Sequence, residues 1–189
     1  MQISNRLSTA ILVCLLVISG SAGLGTAQAN TLKNERESIH ANIVFMRHAL
    51  APGFGDPARF DITDCNSQRN LDAAGRRQAR QAGAALARSG IEIYQILSSR
   101  WCLCTETAAL LELGAFTTFD GLNSFYGGHV DREETLFLLR QKLDSMDGTQ
   151  VVLMVTHQVV ISAITGISPP SSGLVFYNSK TQQSKQVRW

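Results

Sequence analysis

Two histidines in this 189-residue chain stand where apolar runs end. The run Ile43-Val44-Phe45-Met46 gives way to Arg47-His48, and Val151 to Val155 gives way to Thr156-His157. Imidazole titrates close to neutrality, so at pH 7 a histidine can attack as a nucleophile, relay a proton or donate a hydrogen bond. The planar fork of Arg47 suits bidentate contact with an oxyanion such as phosphate. His40 and His129 lack this setting and read as ordinary surface or core histidines. Asp56, Asp61 and Asp64 read first as solvated loop carboxylates, and Trp101 as a core residue.

The elements that must position these groups follow from periodicity. A short continuous apolar run is expected of a strand buried on both faces, which makes 43–46 and 151–155 strands. Ala51 to Asn70 is rich in Gly, Pro, Asp and Asn without a period, so it reads as a long loop, and loops of that length in a compact domain are usually functional. Asp72 is placed to cap a helix from Ala73 to Ser89, with Gly75, Ala79, Ala82 and Leu86 on one stripe and Gly90 as its stop. Ile91 to Leu97 predicts a further strand. A helix beginning at Ser98-Ser99 would bury Trp101, Cys104, Ala108 and Leu111 and end at Gly114. Asp131 and Glu134 resemble a capping box for a third helix that buries Leu136, Leu139 and Leu143. Strands alternating with helices imply parallel βαβ units. The expected class is therefore α/β, a three-layer α/β/α sandwich with a mostly parallel sheet and helices on both faces. Ligands of such sheets bind beyond the carboxyl ends of the strands, where Arg47-His48 and His157 fall.

Composition narrows the function. Arg6, the apolar run Ala10–Ile18 and the small residues ending Ala27-Gln28-Ala29 have the layout of a secretory signal peptide cleaved after Ala29. Nine apolar residues are too few for a permanent membrane span, which needs about twenty. The expected organisation is a signal peptide over 1–29 and one domain over 30–189, exported to the periplasm or secreted. Cys14 has the bulky Val13 before it and leaves with the signal. Without Arg6 the charge balance is 16 Lys and Arg against 15 Asp and Glu, a net +1, with no basic block to attract nucleic acid. Three cysteines remain: Cys65, Cys102 and Cys104. An exported chain permits disulfides, and a bridge within Cys102-x-Cys104 would be badly strained, so Cys65 is expected to pair with Cys102 or Cys104. A lone C-x-C does not supply the ligand spacing of a zinc site, and no metal is expected.

Taken together, Phe45-Met46-Arg47-His48-Ala49, Leu71-x-x-x-Gly75-x-x-Gln78-Ala79, Ser98-Ser99 to Thr107-Ala108, and Val155-Thr156-His157 resemble the ordered motifs of the histidine phosphatase superfamily, the phosphoglycerate mutase-like proteins. They span 43 to about 165 of the chain. The resemblance implies that His48 takes the phosphoryl group as phosphohistidine, that Arg47 and His157 line the phosphate pocket, and that no cofactor is needed. Its substrates would be small phosphorylated molecules or a phosphoprotein.

Departures from the family pattern shape the expectation. Ala49 stands where the family usually has glycine, and Leu103 stands where a second phosphate-binding arginine is usual. Leucine donates no hydrogen bond, and one missing charged donor typically costs about 3 kcal/mol of transition-state stabilisation. Arg100, three residues earlier, is the candidate to compensate. Neither usual general acid is present, since the relevant segments read Leu122-Asn123-Ser124 and Gln158. Asp56 is the candidate substitute, and substrates with good leaving groups, such as phosphohistidine, acyl phosphates or anomeric sugar phosphates, are favoured. The alternative reading is a weakened or silent member that binds phosphorylated ligands. A mutase acting on small metabolites is disfavoured by export.

Overall fold

The computed structural model describes residues 31–189, so the expected signal peptide lies outside the described residues. Residues 31–38 are helical (α1), and β1 is Ile43–Arg47. They are followed by α2 Ala73–Arg88, β2 Ile93–Ser98, α3 Cys102–Leu110, β3 Phe116–Thr118, α4 Arg132–Asp144, β4 Val151–Thr156, α5 Gln158–Thr165, β5 Leu174–Tyr177 and β6 Ser184–Val187. The six strands form one mixed sheet in the order β3-β2-β4-β1-β5-β6. β3, β2, β4 and β1 are parallel, while β5 and β6 add on antiparallel at the β1 side.

Alternating residues of the central strands feed two separate cores, as strand geometry requires. Val44, Met46, Leu153 and Val155 pack with Ala79, Ala82 and Leu86 of α2, Leu103 and Ala108 of α3, and Leu32 of α1. Ile43, Phe45, Val152 and Met154 pack with Leu139 and Leu143 of α4 and with Val160 and Ile161 of α5. This is the three-layer α/β/α arrangement. It explains why β1 and β4 read as unbroken apolar runs, and why their carboxyl ends emerge side by side.

The helix starts are set by the expected caps. Asp72 accepts from Gly75 N at 2.7 Å, and Asp131 accepts from Glu134 N at 2.7 Å. The helix expected from Ser98-Ser99 begins later. Ser99 N donates to Val155 O at 2.9 Å and Ser98 O accepts from Phe119 N at 2.8 Å, so the ladder holds both serines in strand-like backbone until Trp101. The polar stretch before β1 is helical over 31–38, with Leu32 fully buried in the core and Ile39, just past its end, packed partly against it. The 51–70 segment is a loop apart from one 3-10 turn at Cys65–Ser67. No helix among the described residues is long and apolar enough to cross a membrane.

Candidate active site

β1 delivers His48 to a cavity of about 400 Å³ beyond the carboxyl ends of the strands. Backbone bonds hold the end of the strand: Arg47 N donates to Gly173 O at 3.1 Å, and His48 N to Thr156 O at 2.9 Å. Two helices then fix the turn that follows. Ala49 N donates to Thr107 Oγ1 of α3 at 3.0 Å, and Leu50 N donates to Gln78 Oε1 of α2 at 2.9 Å. The Gln78 amide also donates to Ser171 O at 3.0 Å, tying the β1 turn to the segment before β5. α2 can come this close because residue 75 is glycine; a Cβ there would lie 2.0 Å from Leu50 O.

His48 is 2% exposed, and its Nδ1 is 2.8 Å from Ala49 O. A carbonyl only accepts, so Nδ1 carries the proton and Nε2 keeps the lone pair. Burial lowers the His48 pKa to about 4, Arg69 and Arg47 push it the same way, and the bond to Ala49 opposes them. The ring is therefore neutral at pH 7. His157 caps α5 with its ring centroid 5.3 Å from that of His48. Burial first, then repulsion from the protonated form of His48 and from the charges of Arg69 and Arg47, hold its pKa well below the usual histidine range. Its Nε2 lies 3.1 Å from Ser99 Oγ and 3.4 Å from Cys104 Sγ. Burial pushes the Cys104 thiol up, so it stays neutral there.

Two guanidinium groups line the cavity. Arg47 donates from Nη1 to Pro169 O at 3.1 Å, whereas its buried Nε has no hydrogen-bond partner. A buried donor left without an acceptor costs free energy, and an oxyanion in the cavity would satisfy it. Arg69, from the long loop, is oriented by bonds to Ala51 O at 2.6 Å and Gly55 O at 3.0 Å. Asp56 is also in the wall. Its Oδ2 accepts from Trp101 Nε1 at 2.8 Å and its Oδ1 from Arg69 N at 3.3 Å.

No protein-family model and no curated protein sequence matches this chain. Solved structures do resemble it. A protein histidine phosphatase, SixA, complexed with tungstate is 18% identical, with a TM-score of 0.52 over 78% of this chain and 94% of that one. A mycobacterial glucosyl-3-phosphoglycerate phosphatase complexed with VO3 is 13% identical, with a TM-score of 0.57 over 79% of this chain and 98% of that one. A phosphoglycerate mutase from Thermus thermophilus is 14% identical, with a TM-score of 0.52 over 78% of this chain and 98% of that one. The chain has the histidine phosphatase fold.

Within that fold, Arg47, His48, His157 and Asp56 meet at one cavity. Arg100 does not join them. Its guanidinium turns outward to Asp120 at 3.7 Å, with its side chain about half exposed, because Arg100 N is held by Asn123 Oδ1 at 2.9 Å. Leu103 is fully buried in the core under α3 and does not line the cavity. The second guanidinium is instead Arg69, which sequence reasoning missed; in an aperiodic loop nothing about its type sets it apart from Arg59. Ser124 and Gln158, at the positions where an acid was sought, both line the cavity. Asp61 and Asp64 stay on the exposed loop and bind the nearby Thr63 and Asn66 backbones. His40 and His129 are exposed, the latter against Phe60 with ring centroids 4.2 Å apart. Trp101 is fully buried as expected, yet its indole also anchors Asp56.

Of the two pairings left open, the disulfide joins Cys65 to Cys102, with Cα atoms 5.6 Å apart, and Cys104 is free and buried. Gln68 Oε1 accepts from Cys102 N at 2.9 Å, so bridge and amide together fasten the Arg69 segment to the start of α3.

Proposed function

We propose that this chain is a phosphatase that hydrolyses a phosphomonoester or phosphoramidate through a phosphohistidine on His48. The observation that carries the reading is the pairing of a neutral, tautomer-fixed His48 with the unpartnered Nε of buried Arg47 in one cavity. Nε2 of His48 attacks phosphorus in line, forming an N–P bond as the bond to the leaving oxygen or nitrogen breaks. Arg47 and Arg69 bind the equatorial oxygens; such positioning and charge stabilisation are most of what phosphoryl transfer asks of a protein. A bound dianion reverses the electrostatic pressure on His157 and favours its donating form. Asp56, held by Trp101, supplies the proton to the leaving group. It then takes one from the water that attacks phosphohistidine, which regenerates neutral His48 and releases phosphate. The tungstate and VO3 with which two of the similar structures are complexed are metal oxyanions, which supports an oxyanion site here.

The domain over 30–189 is proposed to act after export to the periplasm or outside the cell. The signal-like N-terminus motivates this, and a Cys65–Cys102 bridge suits an oxidising compartment. A second reading, a silent phosphate-binding protein, starts from Leu103, which stands where the family pattern has a guanidinium; Arg69 in the cavity wall fills that role and weighs against it. Turnover of an aryl phosphate decides between them. The expected result is hydrolysis that is lost in His48→Ala and strongly reduced in Arg69→Ala, with phosphate found on His48 by mass spectrometry after an alkaline quench. Activity surviving in His48→Ala, or label on another residue, overturns the assignment; oxyanion binding without turnover establishes the second reading.

A further inference from the structure

Large hydrophobic side chains that stand well exposed among the described residues are Leu50, Phe54, Tyr94, Tyr126 and Phe137, and three of these five line the mouth of the cationic cavity. Phe54 is 99% exposed. It sits between Gly53 and Gly55, whose φ values of +91° and +65° belong to the left-handed region that glycine adopts without penalty. That backbone holds the phenyl ring out in solvent rather than letting it fold onto the core. Tyr126 comes from a different loop: a Cβ on Gly55 would lie 3.5 Å from one of its ring carbons, so the two aromatic-bearing loops meet at this rim. Val159 and Pro52 add apolar lining to the same cavity, whereas the polar Ser124 is buried, its Oγ accepting from Tyr126 N at 3.3 Å. A folded chain exposing apolar surface at one place usually does so to bind something.

We propose that this rim recognises the leaving group, and that the preferred substrates carry the phosphoryl group on an aromatic or otherwise flat apolar body. The proposal rests on the phosphatase reading of the same cavity. Arg47 and Arg69 on the floor provide the charge complement for the phosphoryl oxygens, and the unsatisfied Nε of Arg47 marks where they go. Phe54, Tyr126 and Leu50 then flank the first atoms beyond the bridging oxygen or nitrogen. A flat ring can stack on them without leaving hydroxyls unpaired, which a small polyol phosphate cannot do.

The test compares two non-hydrolysable probes, methylphosphonate and 2-naphthylmethylphosphonate, by calorimetry on the disulfide-intact chain. The ratio of their dissociation constants is the readout. Stacking on the rim is expected to make the naphthyl compound bind about tenfold tighter. In Phe54→Ser/Tyr126→Ser the ratio is expected to fall close to one, and in Tyr94→Ser/Phe137→Ser, altered far from the cavity, it stays near ten. Equal affinities in the parent chain, or a preference that survives in Phe54→Ser/Tyr126→Ser, overturns the rim proposal while methylphosphonate binding leaves the phosphatase reading standing. Binding of neither probe overturns both.

Discussion

Gly75→Ala is the sharpest single test of how the fold builds this site, because two well-characterised effects predict opposite signs. In an exposed helix interior, alanine is better than glycine by about 1 kcal/mol. Gly75, however, is buried in the first turn of α2, and the added Cβ would sit 2.0 Å from Leu50 O and 2.9 Å from Leu50 C. Ordinary carbon–oxygen contact needs more than 3 Å, so α2 or the backbone after His48 must move by roughly 1 Å. Overpacking of that size costs typically 1–3 kcal/mol. The expected net effect is destabilisation by up to about 2 kcal/mol, a Tm lowered by up to a few degrees for a domain of this length. Activity should fall further than stability. Leu50 N is held by Gln78 from the same helix, two residues beyond His48, and a misplacement of about 1 Å near a reacting group can cost about a hundredfold. Urea denaturation and kcat on an aryl phosphate measure the two effects. A variant as stable as the parent, or more so, with kcat unchanged would show that helix propensity wins and that α2 does not fix the histidine turn.

The His48 pKa, about 4 when folded against an ordinary value of 6.5, means that the unfolded chain binds the extra proton first. Stability should therefore be fully present above pH 6.5 and decline as pH falls towards 4, by about 3 kcal/mol from this residue, with His157 acting in the same direction. Urea midpoints at pH 7 and pH 4.5 check this, and equal values would contradict it. Reduction of Cys65–Cys102, which closes a loop of sequence separation 37, is expected to cost about 4 kcal/mol by the chain-entropy estimate and to lower kcat by loosening Arg69. Scanning calorimetry and kinetics with and without dithiothreitol would register both losses, and an unchanged Tm would count against them. Leu103→Arg places a charge at a fully buried core position, so it should cost several kcal/mol and leave kcat no higher; a rise in kcat would mean that the side chain at 103 can reach the phosphate.

Much of the architecture was legible in the amino-acid order because local chemistry determines it. β1 and β4 had to be doubly buried strands, since each alternates into both cores, and Asp72 and Asp131 announced their helices because capping is a contact three residues long. The ends of those strands, and with them Arg47, His48 and His157, could be placed from topology alone. Other parts carried too little local signal. β6 reads Ser-Lys-Gln-Val and α1 has Leu32 as its fully buried side chain, so their pairing and packing partners, not their own periods, define them. Cys102 rather than Cys104 meets Cys65 because successive positions of a helix point in different directions, and the turn of α3 sends Cys104 inward to His157. Arg69 rather than Arg100 reaches the cavity for a similar reason. An aperiodic loop gives its side chains no direction until distant partners do so, here Ala51 and Gly55 carbonyls, the Cys65–Cys102 bridge and the Asp56–Trp101 bond.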